Sequence, residues 1–253
     1  MDDSVFTSAN KNSTISNYNN NIFNGCVINF NPNTVLITAV TATVLIVIAG
    51  LLSFYITYEL NNGESTLLLK LFDLDEEQNI PTFFSYFLLS FCCFLLIIIY
   101  LQQRGLKSKW STYWLFLAIM FFILSFDEAA SIHERFSLPV RTYLGTTGWL
   151  RFGWIIPAGF FVSTIGLMYI RFIISLPGRI ATLSFLSGIL YVGGALFMEM
   201  PEGAYAQVHG ENNFIFHIFT ILEETFEMIG LSLYLYTLTL FLSCSSHENS
   251  RYR

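Results

Sequence analysis

Four stretches of the chain run for 19 residues or more without a charged side chain: Val35 to Tyr58, Phe83 to Leu101, Phe152 to Ile170 and Ile180 to Met198. About 20 apolar residues carry a helix across a bilayer, and a single chain satisfies its backbone there only as helix or closed barrel. Each stretch therefore predicts a membrane-spanning helix. Two further apolar runs are interrupted. Tyr113 to Phe126 is too short to cross alone, so a span here must take in Asp127 and Glu128 and exit near His133. Phe214 to Leu222 and Met228 to Leu242 are also too short singly, and joined they form one helix that contains Glu223, Glu224 and Glu227. The pattern predicts an all-α integral membrane protein with six transmembrane helices, at 35–58, 83–101, 113–133, 152–171, 180–199 and 213–242. These make a single transmembrane domain, 34–243, between two tails.

The first tail, 1–33, holds ten asparagines and a single basic residue, Lys11. It lacks the basic start and short apolar core of a cleaved signal and reads as a disordered polar segment. The second tail is 244–253. Between the first two spans, Leu67, Leu68, Leu69, Leu71, Phe72 and Leu74 stand beside Lys70 and Asp73, the pattern of an amphipathic helix lying on the bilayer surface. Asp73, Asp75, Glu77 and Asn79 follow at alternate positions, as at the start of an EF-hand loop. Position six is Gln78 rather than Gly and position twelve is Phe84 rather than Glu, so the segment reads as a solvated acidic turn. In the later spans, Gly188, Gly193 and Gly194 predict close helix approach, and Pro157 predicts a kink that frees the carbonyl of Gly153.

Composition narrows the picture. The chain is 54% hydrophobic and 12% charged, about half the charged share of a soluble domain. Its net charge of −6 argues against nucleic acid as a partner. Basic residues set orientation. With the N-terminus in the cytoplasm, Lys11, Arg104, Lys107, Lys109, Arg171, Arg179, Arg251 and Arg253 are cytoplasmic, and Lys70, Arg135, Arg141 and Arg151 lie outside. An even number of spans then returns the C-terminus to the cytoplasm. Cys92 and Cys93, adjacent within a span, read as packing.

The candidate chemistry lies in the interrupted spans. An ionised side chain near the bilayer centre costs of the order of 2.5–3.5 kcal/mol on insertion scales, so a charge found there is by default functional. Here Asp127, Glu128, Glu199, Glu223, Glu224 and Glu227 are all placed in the outer half, with His133, Glu134 and His217 beside them. At 1.5 Å per residue, Asp127 lies roughly 10 Å and Glu223 roughly 15 Å from the boundary. His217, Thr220, Glu224 and Glu227 form one helical stripe, and Asp127, Ser131 and Glu134 share another face. Only Arg135 and Arg151 are at hand as fixed positive charges, so shared protons or a bound cation must supply the balance.

Three functions compete. A cation or proton carrier would bind at Asp127, Glu128, Glu223, Glu224 and Glu227. The three-plus-three halves, each with an acidic pair closing an apolar run, then form an inverted repeat. A membrane-embedded di-metal carboxylate enzyme would draw ligands for Fe, Mn or Zn from Glu128, His133, Glu134, Glu199, His217, Glu224 and Glu227. A non-catalytic sensor or assembly subunit would use the carboxylates to hold a protein partner or a second copy. Several chemistries are excluded. His133-Glu134 opens an HExxH motif that fails at Ser137, and neither GxSxG nor a P-loop occurs.

Overall fold

The computed structural model describes residues 31–251 except 62, 63, 65 and 212. Nearly all of the Asn-rich segment lies outside the described residues. The elements are helices throughout: α1 (Pro32–Tyr55), α2 (Leu67–Lys70), α3 (Ile80–Gly105), α4 (Ser111–Ala130), α5 (Ile132–Leu144), α6 (Ile155–Ser175), α7 (Gly178–Val192), α8 (Glu199–His209) and α9 (Phe214–Arg251). A π-turn, Ile56–Leu60, extends α1, and a second, Gly193–Met198, joins α7 to α8. Six of these helical stretches are long and apolar enough to cross a membrane: Pro32–Tyr58, Ile80–Gly105, Ser111–Ala130, Ile155–Ser175, Gly178–His209 and Phe214–Cys244.

The last helix is the axis of the bundle. It packs on α1, α3, α7 and α8, while α4 packs on α3. Its apolar length sets the core, with Met228, Leu231, Leu235 and Leu238 buried against Leu88, Leu95, Leu96 and Ile99 of the bundle. Cys92 and Cys93 are free thiols buried in this core, in contact with the carbonyls of Leu231 and Ala118. Large apolar side chains such as Phe160, Leu167, Ile174 and Phe185 point outward instead, as a lipid-facing surface requires.

Small residues set the closest approaches. A Cβ on Gly194 would stand 2.7 Å from the Glu223 carbonyl oxygen, and one on Gly230 would stand 2.6 Å from the Tyr191 amide nitrogen. Of the three glycines predicted to allow close packing, only Gly194 does. Gly188 and Gly193 face open space.

Three local features depart from the pattern's expectation. The third span stops at Ala130, because Ser131 adopts a left-handed conformation with φ of 49° and restarts the chain as α5. His133 and Glu134 therefore lie on a separate helix, and the shared face of Asp127, Ser131 and Glu134 does not form. Pro157 sits in the first turn of α6, where a missing N–H is tolerated. The Gly153 carbonyl accepts from Ile156 at 3.3 Å, so the expected kink is absent. The fifth span continues past Glu199 to His209. Pro201 would clash with the carbonyl four residues back in a regular helix, and the widened π-turn falls at that place.

Between α2 and α3, Asn79 holds the chain. Its Oδ1 accepts from the Thr82 amide at 3.2 Å, and its Nδ2 donates to the carbonyls of Lys70 and Asp73. Asn79→Ala loses the cap, worth about 1 kcal/mol, and removes a donor from the carbonyls of Lys70 and Asp73. Faster amide exchange over residues 70–80, with the rest of the bundle unchanged, is the expected result.

Candidate metal centre

The acidic turn before α3 delivers one side chain into the bundle. Gln78, in left-handed conformation with φ of 60°, turns the backbone so that Glu77 is half-buried while Asp75 and Glu76 remain exposed. Glu77 meets His133 and Glu134, and each of the three offers a ligand atom within 4.8 Å of the others. The expectation of a wholly solvated turn fails at Glu77, which joins a site the sequence reading did not assign to it.

His133 is fixed by Asp127 across the helix break. One oxygen of Asp127 accepts the His133 backbone N–H at 3.0 Å, and the other lies 2.9 Å from Nδ1. The first bond caps an orphan amide of α5. The second sets the ring's orientation and leaves Nε2 as the free nitrogen. Trp154 packs on the ring at 5.0 Å between centroids. Burial disfavours a charged imidazole here, yet the bond to Asp127 outweighs it. With the negative fields of Asp127, Glu199 and Glu128, the balance pushes the His133 pKa up to about 9. Burial also raises Glu77, with Glu134 adding to the rise and His133 opposing it.

Deeper in, Glu128, Glu224 and Glu227 lie within electrostatic reach of one another and of Glu77. Tyr191 borders the same group. Gly194 permits this approach, since its missing side chain admits the Glu227 Cγ. A third set lies where α8 meets α9. The Trp154 indole donates to Glu199 Oε1 at 2.9 Å, and the Thr220 hydroxyl donates to Glu202 Oε1 at 2.8 Å. Glu223 neighbours both. Glu202 escaped the sequence reading because Pro201 looked like the end of a span. The signal present was its i, i+3 spacing from Glu199.

His217 is engaged elsewhere. Its Nε2 lies 3.0 Å from the Tyr58 hydroxyl and its Nδ1 3.8 Å from Asp75, inside a box of Phe54, Tyr58 and Phe216. The stripe from His217 to Glu227 thus divides: the histidine serves α1, and Thr220 and the glutamates serve the cluster. Asp75 keeps 37% of its side-chain surface exposed. Its own partial burial, together with Asp73, Glu202 and Glu211 around it, nevertheless raises its pKa to about 7.

Fixed positive charge does not reach the cluster. Arg151 is paired with Glu211 at 2.7 Å, and Arg135 is exposed. Among the described residues, the remaining ion pairs are Lys70–Glu76, His133–Asp127 and His217–Asp75. Seven glutamates, Glu77, Glu128, Glu199, Glu202, Glu223, Glu224 and Glu227, therefore gather, and among the described residues His133 is the basic side chain whose field reaches Glu77, Glu128, Glu199 and Glu224. Past Glu227, α9 has no ionisable acid or base through Leu242 other than tyrosine, and α3 has none from Ile80 to Gln103 apart from tyrosine and cysteine. The carboxylates occupy one end of the bundle and the other end is closed by the apolar core.

Fold and site together define an integral multi-pass membrane protein with a partly exposed His/Glu group that could hold a metal ion. The chain belongs to the family described as Domain of unknown function (DUF8692), whose model matches residues 37–241. That match takes in every carboxylate of the cluster. No curated protein and no solved structure matches the chain.

Proposed function

We propose that this protein is a membrane-embedded metalloprotein that holds a divalent cation at Glu77, His133 and Glu134, with Glu128, Glu224 and Glu227 as the carboxylates behind it. The observation that carries this reading is the Asp127–His133 pair. Metal-bound histidines almost always donate their second ring N–H to a carboxylate or carbonyl, which fixes the tautomer and aims the other nitrogen. Asp127 stands in that relation to His133, with two further carboxylates each within 4.8 Å of a ring nitrogen. A set of oxygen donors with a single imidazole suits Mn, Fe or Zn better than a soft metal. A cation bound at Nε2 displaces the proton the imidazole carries at neutral pH, and its charge offsets carboxylates that otherwise repel in a low-dielectric setting.

The closed apolar half favours a resident metal with its substrate arriving at the open end, hence a metal-dependent enzyme. A cation or proton carrier built on an inverted repeat is the competing reading. The row of carboxylates from exposed Glu134 inward to Glu227 supports it. With both termini in the cytoplasm, as the basic residues favour, the open end faces away from the cytoplasm. The exposed Leu67 and Leu68 then rest on the bilayer surface there.

Elemental analysis of protein purified in detergent without chelators separates these readings, alongside ion flux in liposomes. Stoichiometric Fe, Mn or Zn without flux is the expected result. Metal-free folded protein removes the proposal, and carboxylate-dependent flux moves the assignment to the carrier. Asp127→Asn is expected to weaken metal affinity about 10- to 100-fold, as for other outer partners of ligating histidines, measured by competition with a chromogenic chelator.

A further inference from the structure

We propose that the end of the bundle opposite the carboxylates is a docking surface for anionic phospholipid headgroups, formed by the α3–α4 turn and the α6–α7 turn. The surface shares no residue with the metal centre. Five cations stand there, Arg104, Lys107, Lys109, Arg171 and Arg179, and all are exposed. The stretches around them hold no Asp or Glu: Asn31 to Tyr58, Ile80 to Phe126, Phe152 to Met198 and Met228 to Leu242. Among the described residues, no ion pair includes any of the five. The two tails bring no net charge to offset them, with Asp2, Asp3 and Glu248 against Lys11, Arg251 and Arg253.

Aromatic rings and backbone, not carboxylates, set where these cations stand. Lys109 Nζ lies 5.0 Å from the centre of the Trp110 ring, within cation–π range. Arg104 donates to the Tyr100 hydroxyl at 3.0 Å and Arg179 to the Tyr236 hydroxyl at 2.8 Å. Trp110 and Tyr113 pack on Phe172 at 5.7 and 5.4 Å, which brings the α3–α4 turn against the end of α6 that carries Arg171. Trp114 continues the layer from Phe172 to Phe241 of α9. Tryptophan and tyrosine gathered at the end of an apolar bundle mark the level of the lipid headgroups. Lys107 is held in the left-handed region with φ of 54°, uncommon for a residue other than glycine. The turn fixes it there, since the Leu106, Lys107 and Ser108 amides donate to the carbonyls of Gln102, Arg104 and Gln103. Beside it Leu106 is 64% exposed, an apolar anchor next to a charge. Long basic side chains at this level reach the phosphates of the surrounding lipids, and an acidic surface supplies the negative charge the protein lacks there.

Electron paramagnetic resonance of spin-labelled lipids, added to the full chain in phosphatidylcholine bilayers, tests this, because lipid held at the protein surface is motionally restricted. Spin-labelled phosphatidylglycerol is expected to be held about five-fold or more over spin-labelled phosphatidylcholine, the effect of one Lys or Arg at an anionic surface. The preference should fall towards parity in high salt. It should fall likewise when Lys107→Gln, Lys109→Gln and Arg171→Gln are combined. These side chains are exposed, so the bundle keeps its fold. Arg135→Gln with Arg141→Gln, at the carboxylate end, should leave the preference unchanged. Equal retention of the two lipids by folded wild type overturns the assignment and leaves the surface to an acidic protein segment. Loss of the preference on adding inorganic phosphate at constant ionic strength overturns the lipid as the source and assigns a soluble anion. A preference that survives the triple substitution overturns these residues as its seat.

Discussion

Replacing His133 with alanine is expected to give a folded, membrane-inserted protein whose metal affinity at the Glu77 centre falls more than about 100-fold. That exceeds the effect of losing an outer partner such as Asp127, because a ligand itself is removed. The bundle should survive. The His133 side chain is partly exposed and outside the apolar core, and its backbone N–H still has Asp127 to accept it. The variant separates two roles that otherwise move together. In the absence of metal, His133 is the positive neighbour of Glu77, Glu128, Glu199 and Glu224. If it served only as a counter-charge to the carboxylates, lysine at 133 would restore the wild-type properties. If Nε2 is a ligand, His133→Lys stays as depleted in metal as His133→Ala. Elemental analysis of the three proteins side by side reads the difference.

The second large effect is on assembly. Gly230→Val and Gly194→Val each force a side chain into backbone atoms of the facing helix, at 2.6 Å and 2.7 Å for the Cβ alone. Backbone cannot rotate aside as a side chain can, so the loss should reach or exceed roughly 3 kcal/mol, the upper end of ordinary overpacking. Both positions lie beside the cluster, and separating α9 from α7 and the π-turn would also pull Glu223 and Glu227 out of register. The expected result is a large fall in thermal stability in detergent together with loss of bound metal. Gly188→Ala, facing open space on α7, should change neither. Equal effects at Gly188 and Gly230 would show that helix propensity, not close approach, controls stability here.

What could be read from the chain beforehand follows from which physical signals are local. The spans were legible because a bilayer imposes a length and forbids charge over it, and four uncharged runs satisfy both conditions without help. The two interrupted spans were legible because their apolar halves cannot cross unless joined through Asp127 and Glu128, or through Glu223, Glu224 and Glu227. The helix break at Ser131 was not. A left-handed serine has no compositional mark as glycine does, and it depends on Asp127 reaching across to the His133 amide. Glu77 was obscured by its company, since Asp75 and Glu76 beside it carry the same carboxylate in sequence and are more exposed in the fold. Glu202 was hidden behind Pro201, whose disruption of the helix is absorbed by a π-turn that glycine-rich sequence permits but does not announce. His217 misled for the opposite reason. It lies on the right helix at the right spacing, but tertiary contacts with Tyr58 and Asp75 claim it.

A cation held by carboxylates and an imidazole at the end of a membrane bundle is observed directly by X-ray absorption at the metal edge of the purified protein. The prediction is a first shell of oxygen and nitrogen at about 2.0–2.2 Å, with outer scattering from one imidazole that disappears in His133→Ala. An absent edge, or a spectrum in wild type that matches the hydrated ion and does not change in that variant, would contradict it.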